Sequence, residues 1–589
     1  MVVKSMNSLI GSVHVTRRTF LGLSATAVAS LLAACGGEPD ESTTASTSES
    51  ESPSTTTSNS GSASPSASGG TPASSSATPS VSAVQTTTST EGGTPKKGGT
   101  LVIADPQGGA TLDPFKTTWH STAHFLVFTS FVDTAPDLTY IPYTFESWEV
   151  SPDGKEVTFK IDPAITFSDG TPVTADGIKY IVEREIDPDL HSPGASAFGP
   201  LTSVEVVDDK TCKFIYETPY APLFNGLSGR EVSSAEAVKK AGDDFGNHPV
   251  GAGPFLVKEI ISGNVIKYTR NEDYKWPPKY YKNRGPSYFD GVNMRVITED
   301  ATIWAALQSG EVHIGPVAST YVKDAKNAKN LDVLQQLDNG IRYLGMNCSK
   351  PPFDNELVRQ AVSHAVNRQV IVDNALDGYG KVLYSPLAFN IPFCDNEGMK
   401  KISYDYDVAA AKDKLKQAGY DVSGDIATKD GKPFEAELMV PNDDFFKRAA
   451  QILQGQLKEA GIKININVMD SSAMNEATTT GNHQMFITLY GQTDPSILFY
   501  FFSSTRVKAT NRAWYFTDEL DALLNQAMAT LDPEKAKPLW EQIQTMIVKA
   551  SPWVVLCDPY TFTGVSKKLH GFKLHPQGEY MLHDAWLES

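Results

Sequence analysis

Residues 342–368, RYLGMNCSKPPFDNELVRQAVSHAVNR, change their hydrophobic period partway along. The stretch starts as an extended, largely apolar run, and Pro351-Pro352 breaks it. Val358, Ala361, Val362, Ala365 and Val366 then recur at the spacing of one helix face, with a period of about 3.6 residues. Asp354 is the expected N-cap, because its carboxylate can accept from an orphan first-turn amide. Gly378 offers a stop. A strand that leaves one compact unit, crosses a proline-marked joint and enters a helix of another unit is what a hinge needs. The stretch is therefore read as the crossing between two lobes, although an ordinary strand-to-helix junction shares its spacing.

The same patterning predicts elements on both sides. Residues 100–104 read as a short strand, Leu112-Asp113-Pro114 as a turn, and residues 122–132 as one buried helix. Trp148 and Val150 alternate with polar residues, Asp153-Gly154 turns the chain, and Val157, Phe159 and Ile161 alternate again, which is a hairpin. Thr174 should cap a helix opening at Ala175-Asp176. Further on, residues 408–418 and 446–460 read as amphipathic helices that stop at Gly419 and Gly461. Alternation over 462–468 and the apolar run 485–490 read as strands. Residues 518–528 and 534–548 read as helices, and 553–556 as a strand returning to the first lobe. Helices and strands alternate, which is α/β ordering.

The N-terminus changes this picture. Arg17-Arg18 precede an apolar run of about 15 residues, too short to span a bilayer of about 30 Å. The run ends in Leu32-Ala33-Ala34-Cys35. Basic head, short apolar middle and small-residue exit mark an export signal, and the paired arginines resemble the twin-arginine class. The box ending at Cys35 resembles the bacterial lipobox, which would make Cys35 the lipidated first residue of the mature chain. A cleaved secretory signal with an incidental cysteine is the alternative. Residues 36–97 are rich in Ser, Thr, Pro, Gly and Ala and cannot bury enough surface to offset ordering entropy, so they are read as a disordered tether.

The composition of the whole chain is globular, 40% hydrophobic and 10% aromatic. The net charge of -18 argues against non-specific nucleic-acid binding. The five cysteines form no CxxC pair, so neither a zinc ribbon nor a redox pair is indicated. His120 and His124 stand four apart but lack a third ligand, and no metal or other cofactor is expected. No GxSxG, HExxH or SxxK set supports catalysis.

Several stretches, in order, carry a resemblance: ESWEVSPDGKEVTFKI (146–161), FSDGTPVTADG (167–177), PVGAGPF (249–255), YTRNEDY (268–274), IWAALQSGEVHI (303–314) and the 342–368 stretch. Together they resemble the bacterial extracellular solute-binding proteins of family 5, the dipeptide, oligopeptide and nickel-binding group of ABC importers. The resemblance implies an α/β, two-lobe periplasmic-binding-protein clamshell of type II with an extra subdomain inserted in lobe I. The expected division is 1–35 signal, 36–97 tether, 98–133 lobe I, 134–254 inserted subdomain, 255–344 lobe I, 345–552 lobe II, and 553–589 a return to lobe I. It further implies a monomeric, non-enzymatic receptor outside the membrane. That receptor would hold a peptide-like solute, deliver it to an ABC permease and stay attached through a lipid anchor. An oligosaccharide, opine or metal-chelate ligand, an exported hydrolase and a signalling receptor are the competing readings.

Peptide binders of the family anchor the ligand amine with an aspartate after the strand matching residues 485–490. Here Asp494 is the acid in that turn, with Gln492 or Thr493 at the nominal place. The arginine that holds a dipeptide carboxylate would fall at Val440, Pro441 or Asn442, none of them basic. Trp119, Tyr490 and Trp514 complete the expected ligand-binding set, because aromatics bury much area at little entropy cost. Residues 251–255 are expected to form a cleft-side or hinge-side loop.

Overall fold

The computed structural model describes residues 93–107, 111–117 and 121–588, all within one compact unit. The readings at residues 1–92, including Cys35 and the tether, and at Trp119 and His120 lie outside the described residues.

One twelve-stranded sheet organises this unit, and a single long strand, Trp553–Ser566, belongs to both of its halves. Its Tyr560–Ser566 portion pairs antiparallel with Leu331–Leu337, and Thr563–Val565 pairs with Ile314–Pro316. Its beginning pairs antiparallel with Gly340–Met346. The first lobe continues outward through Thr100–Asp105, Gly291–Val296, Val265–Arg270 and Phe255–Ile261. The second continues from Gly340–Met346 through Met485–Gly491 and Glu435–Pro441 to Lys463–Met469. The last two pair in parallel across the helix Asp444–Glu459, the expected α/β arrangement.

The chain crosses between the halves at Asp338-Asn339, and again within the long strand near Asp558-Pro559. Pro351-Pro352 is therefore not the joint. Gly340–Met346 is already committed to the second lobe by its pairing with Met485–Gly491. The prolines instead shape the turn that opens a helix at Glu356–His364. Its cap is Asn355 and not Asp354, because the Asn355 side chain accepts from the Leu357 amide at 2.9 Å. Val358, Ala361, Val362, Ala365 and Val366 are all buried, as their spacing predicts. The helix ends at His364, and a second begins at Arg368 with Asn367 as its cap.

A four-stranded antiparallel sheet forms the inserted subdomain, in the order Phe145–Val150, Glu156–Ile161, Thr211–Tyr216, Leu201–Asp208. Ala175–Ile186 packs on it, and Thr174 caps that helix by accepting from the Gly177 amide. The helix expected at 122–132 stops at Val127. Thr129–Ser130 then pairs with Glu231–Val232 and Val132–Thr134 with Tyr140–Pro142, so tertiary pairing takes over a stretch rich in β-branched and aromatic residues. Residues 251–255 close on that helix end. A Cβ on Gly251 would lie 2.2 Å from the Val127 carbonyl oxygen, so glycine is required here for close backbone approach. Cys212, Cys348, Cys394 and Cys557 are free thiols.

Candidate functional site

The strand Met485–Gly491 ends opposite Gly340, which places the following turn at the seam between the lobes. The Gln492 amide donates to the Asn339 carbonyl at 2.9 Å, fixing the turn to the first chain crossing. The Gln492 side chain folds back to accept from the Thr493 amide at 3.0 Å. Thr493 reaches across to the inserted subdomain, its hydroxyl donating to Asn225 Oδ1 at 2.9 Å. Asp494 accepts from the Ser496 amide at 2.9 Å and so opens the helix Ile497–Phe502. The Asp-Pro turn thus has a structural duty that any functional duty must accommodate.

Asp494 also lines a cavity of about 220 Å³ between the inserted subdomain and the second lobe. Tyr140, Trp148 and Phe224 wall it from the insert, and Phe393 and Trp540 from the second lobe. Tyr140 and Phe224 stack at 5.9 Å, and Trp148 meets Phe224 at 5.1 Å. Asp494 is the sole charged residue among the described lining. Burial raises its carboxyl above the ordinary range, and the hydrogen bonds from Ser496 pull it partly back. Among the described lining no cation stands beside it, and a desolvated carboxylate in such a setting favours a positively charged guest.

Tyr490 precedes this turn but points elsewhere. It is buried, its hydroxyl donates to the Pro386 carbonyl, and its ring lies among Tyr343, Phe501 and Trp553. Trp514 is separate again. Its Nε1 donates to the Thr478 carbonyl at 2.9 Å, and its ring lies against Gly481 at the end of the helix Ser471–Thr480. The structure thus brings Gln492 and Asp494 together at the seam and leaves Tyr490 and Trp514 in packing positions. Of the cavity's aromatic walls, Trp148 is visible in the sequence only as a strand position. Nothing in the sequence joins Tyr140, Phe224, Phe393 and Trp540, which come from segments far apart along the chain.

Comparison with known proteins agrees with this architecture. Residues 139–510 match the model of bacterial extracellular solute-binding proteins, family 5 Middle. The glutathione-binding protein GsiB of Salmonella typhi is 29% identical over 458 residues, 75% of this chain and 85% of that protein. The oligopeptide-binding protein AppA of Bacillus subtilis is 29% identical over 446 residues, 73% of this chain and 80% of that protein. The structure of AppA from Bacillus subtilis in complex with a nonapeptide superposes with a TM-score of 0.68 at 25% identity, covering 84% of this chain and all of that one. The two lobes joined by two strands are the type II clamshell, and the chain belongs to the bacterial extracellular solute-binding proteins of family 5.

Proposed function

We propose that this solute-binding protein captures a peptide or peptide-like solute at the seam between its lobes and delivers it unaltered to an ABC permease. The observation that carries the ligand class is the cavity between insert and second lobe, aromatic on both walls with Asp494 as its charged group. Such a site suits a guest with an apolar body and a free amine. The names of two relatives, a glutathione-binding and an oligopeptide-binding protein, point the same way. Because contacts to both lobes exist only when they are shut, the guest shifts the population toward the closed form that a permease can distinguish from the empty one. The test is a thermal-shift screen of the purified protein against short peptides, with mass spectrometry of the recovered ligand. A rise in melting temperature with the peptide recovered intact supports the reading. Hydrolysis of the peptide, or no shift with any peptide, overturns it.

The address belongs to the same proposal. Cys35 in its lipobox-like setting would hold the protein at the outer face of the membrane through acyl chains, each buried methylene contributing about 0.8 kcal/mol. Among the described residues no helix is long and apolar enough to cross a membrane. Cys35→Ala should move the protein from the membrane fraction to the soluble one, and continued retention would exclude the anchor.

A further inference from the structure

A second cavity, of about 90 Å³, lies on the first-lobe side, away from Asp494. Its walls include Tyr143, Tyr274, Tyr280 and Tyr281, and its lining carries Asp133, Glu579, His575 and His583 but no lysine or arginine. The rings form a continuous surface. Tyr280 and Tyr281 lie 4.5 Å apart, Tyr281 and His583 5.3 Å, and His583 and Tyr274 5.3 Å. Asp133 is held in place, with Oδ2 accepting from the Tyr280 hydroxyl at 2.8 Å and Oδ1 from the Thr134 amide at 2.9 Å. His583 is only 6% exposed, and the backbone at Asn283 and Gly285 lies beside its ring.

We propose that this cavity is a second binding site, for a compact organic ammonium ion, formed independently of the solute held between the lobes. Electron-rich tyrosine faces attract a cation, and more strongly in a desolvated site. The Asp133 carboxyl, which a bound cation holds in its ionised form, supplies the counter-charge. His583 is neutral, because burial pulls its imidazole down to about 4, so one ring nitrogen is an acceptor for an ammonium N–H. An anionic guest would meet two acidic side chains and no lysine or arginine. A neutral guest would form no ion pair with Asp133.

The test is titration calorimetry of the full chain with methylammonium and tetramethylammonium chloride, against sodium chloride at equal ionic strength. Saturable binding in the millimolar range is expected. Asp133→Asn and Tyr281→Leu should each weaken it by about tenfold, while Asp494→Asn leaves it unchanged. Circular dichroism establishes that each variant is folded, and either folded variant suffices. Absence of saturable binding, binding unaffected by the folded Asp133 or Tyr281 variant, or a response to divalent metal ions alone overturns the proposal. Binding lost with Asp494→Asn also overturns it, since that places the ion between the lobes and leaves the solute site standing.

Discussion

Asp338 and Pro559 lie on the two chain crossings and are joined, the Asp338 amide donating to the Pro559 carbonyl at 2.9 Å. Any opening of the clamshell must be absorbed within a few residues of this pair. Asn339 adds side-chain ties. Its Nδ2 donates to the Gln577 carbonyl at 2.5 Å, and its Oδ1 accepts from Asn390 of the second lobe. Asn339→Ala removes both, and hydrogen bonds of this kind contribute about 1 kcal/mol each. The unliganded protein should then open further, with a larger radius of gyration by solution scattering. Apparent solute affinity should fall roughly five- to tenfold, because a smaller fraction is competent to close. Unchanged scattering and affinity would remove Asn339 from the hinge.

Asp494→Asn keeps the shape of the turn and its acceptor for the Ser496 amide but removes the charge. A peptide with a free amine should lose roughly 10- to 100-fold in affinity, as for a charge-assisted hydrogen bond worth about 1.5–3 kcal/mol. The N-acetylated peptide should bind both proteins alike. Equal losses for the two peptides would show that the turn is damaged and that the charge is not read.

Trp514→Phe separates packing from recognition. The substitution deletes the Nε1–H bond to the Thr478 carbonyl but keeps a ring near Gly481. Stability should fall by about 1 kcal/mol in urea unfolding, with solute affinity unchanged. Lost affinity at unchanged stability would return Trp514 to the ligand site. Gly481→Ala should cost more, about 1–3 kcal/mol. Its φ is +75°, and a Cβ would sit 2.8 Å from the Trp514 ring.

These contrasts show what a sequence exposes. Local chemistry was readable: the Thr174 cap, the Asp153-Gly154 hairpin and the stops at Gly419 and Gly461 all depend on neighbours a few residues away. The stretch 122–132 misled because its fate is set by pairing with Glu231–Val232, about a hundred residues on. The seam misled for the same reason. Pro351-Pro352 announces a break, but which lobe Gly340–Met346 joins depends on Met485–Gly491. At the site, Asp494 is conspicuous as the one acid in its turn, whereas Tyr140, Phe224 and Trp540 come to line one cavity only after folding.

Asp133 supplies a pH dependence whose sign follows from its surroundings. Burial, and then the charge of Glu579, raise its carboxyl to about 7, against lowering by the Tyr280 hydroxyl, His575 and the Thr134 amide. Tyr143, Tyr274, Tyr281, Tyr580 and His583 also line the cavity around it. A raised folded value means that the folded chain holds the proton more tightly than the unfolded one. The resulting stability is fully present below the unfolded value near 4 and is lost as pH rises through about 7. Buried histidines act in the opposite sense. His483 and His583 are held down to about 4 by burial, so their contribution is present above 6.5 and lost as pH falls toward 4. The whole-protein profile mixes these slopes, and the difference between wild type and Asp133→Asn isolates one of them. Over pH 4 to 7 the variant should gain stability relative to wild type, by at most roughly 4 kcal/mol at 1.4 kcal/mol per pH unit. Urea unfolding at pH 4, 5.5 and 7 measures it. A difference that stays flat across the three would mean that Asp133 titrates as an ordinary solvated carboxylate, and the cavity around it would then be open to water.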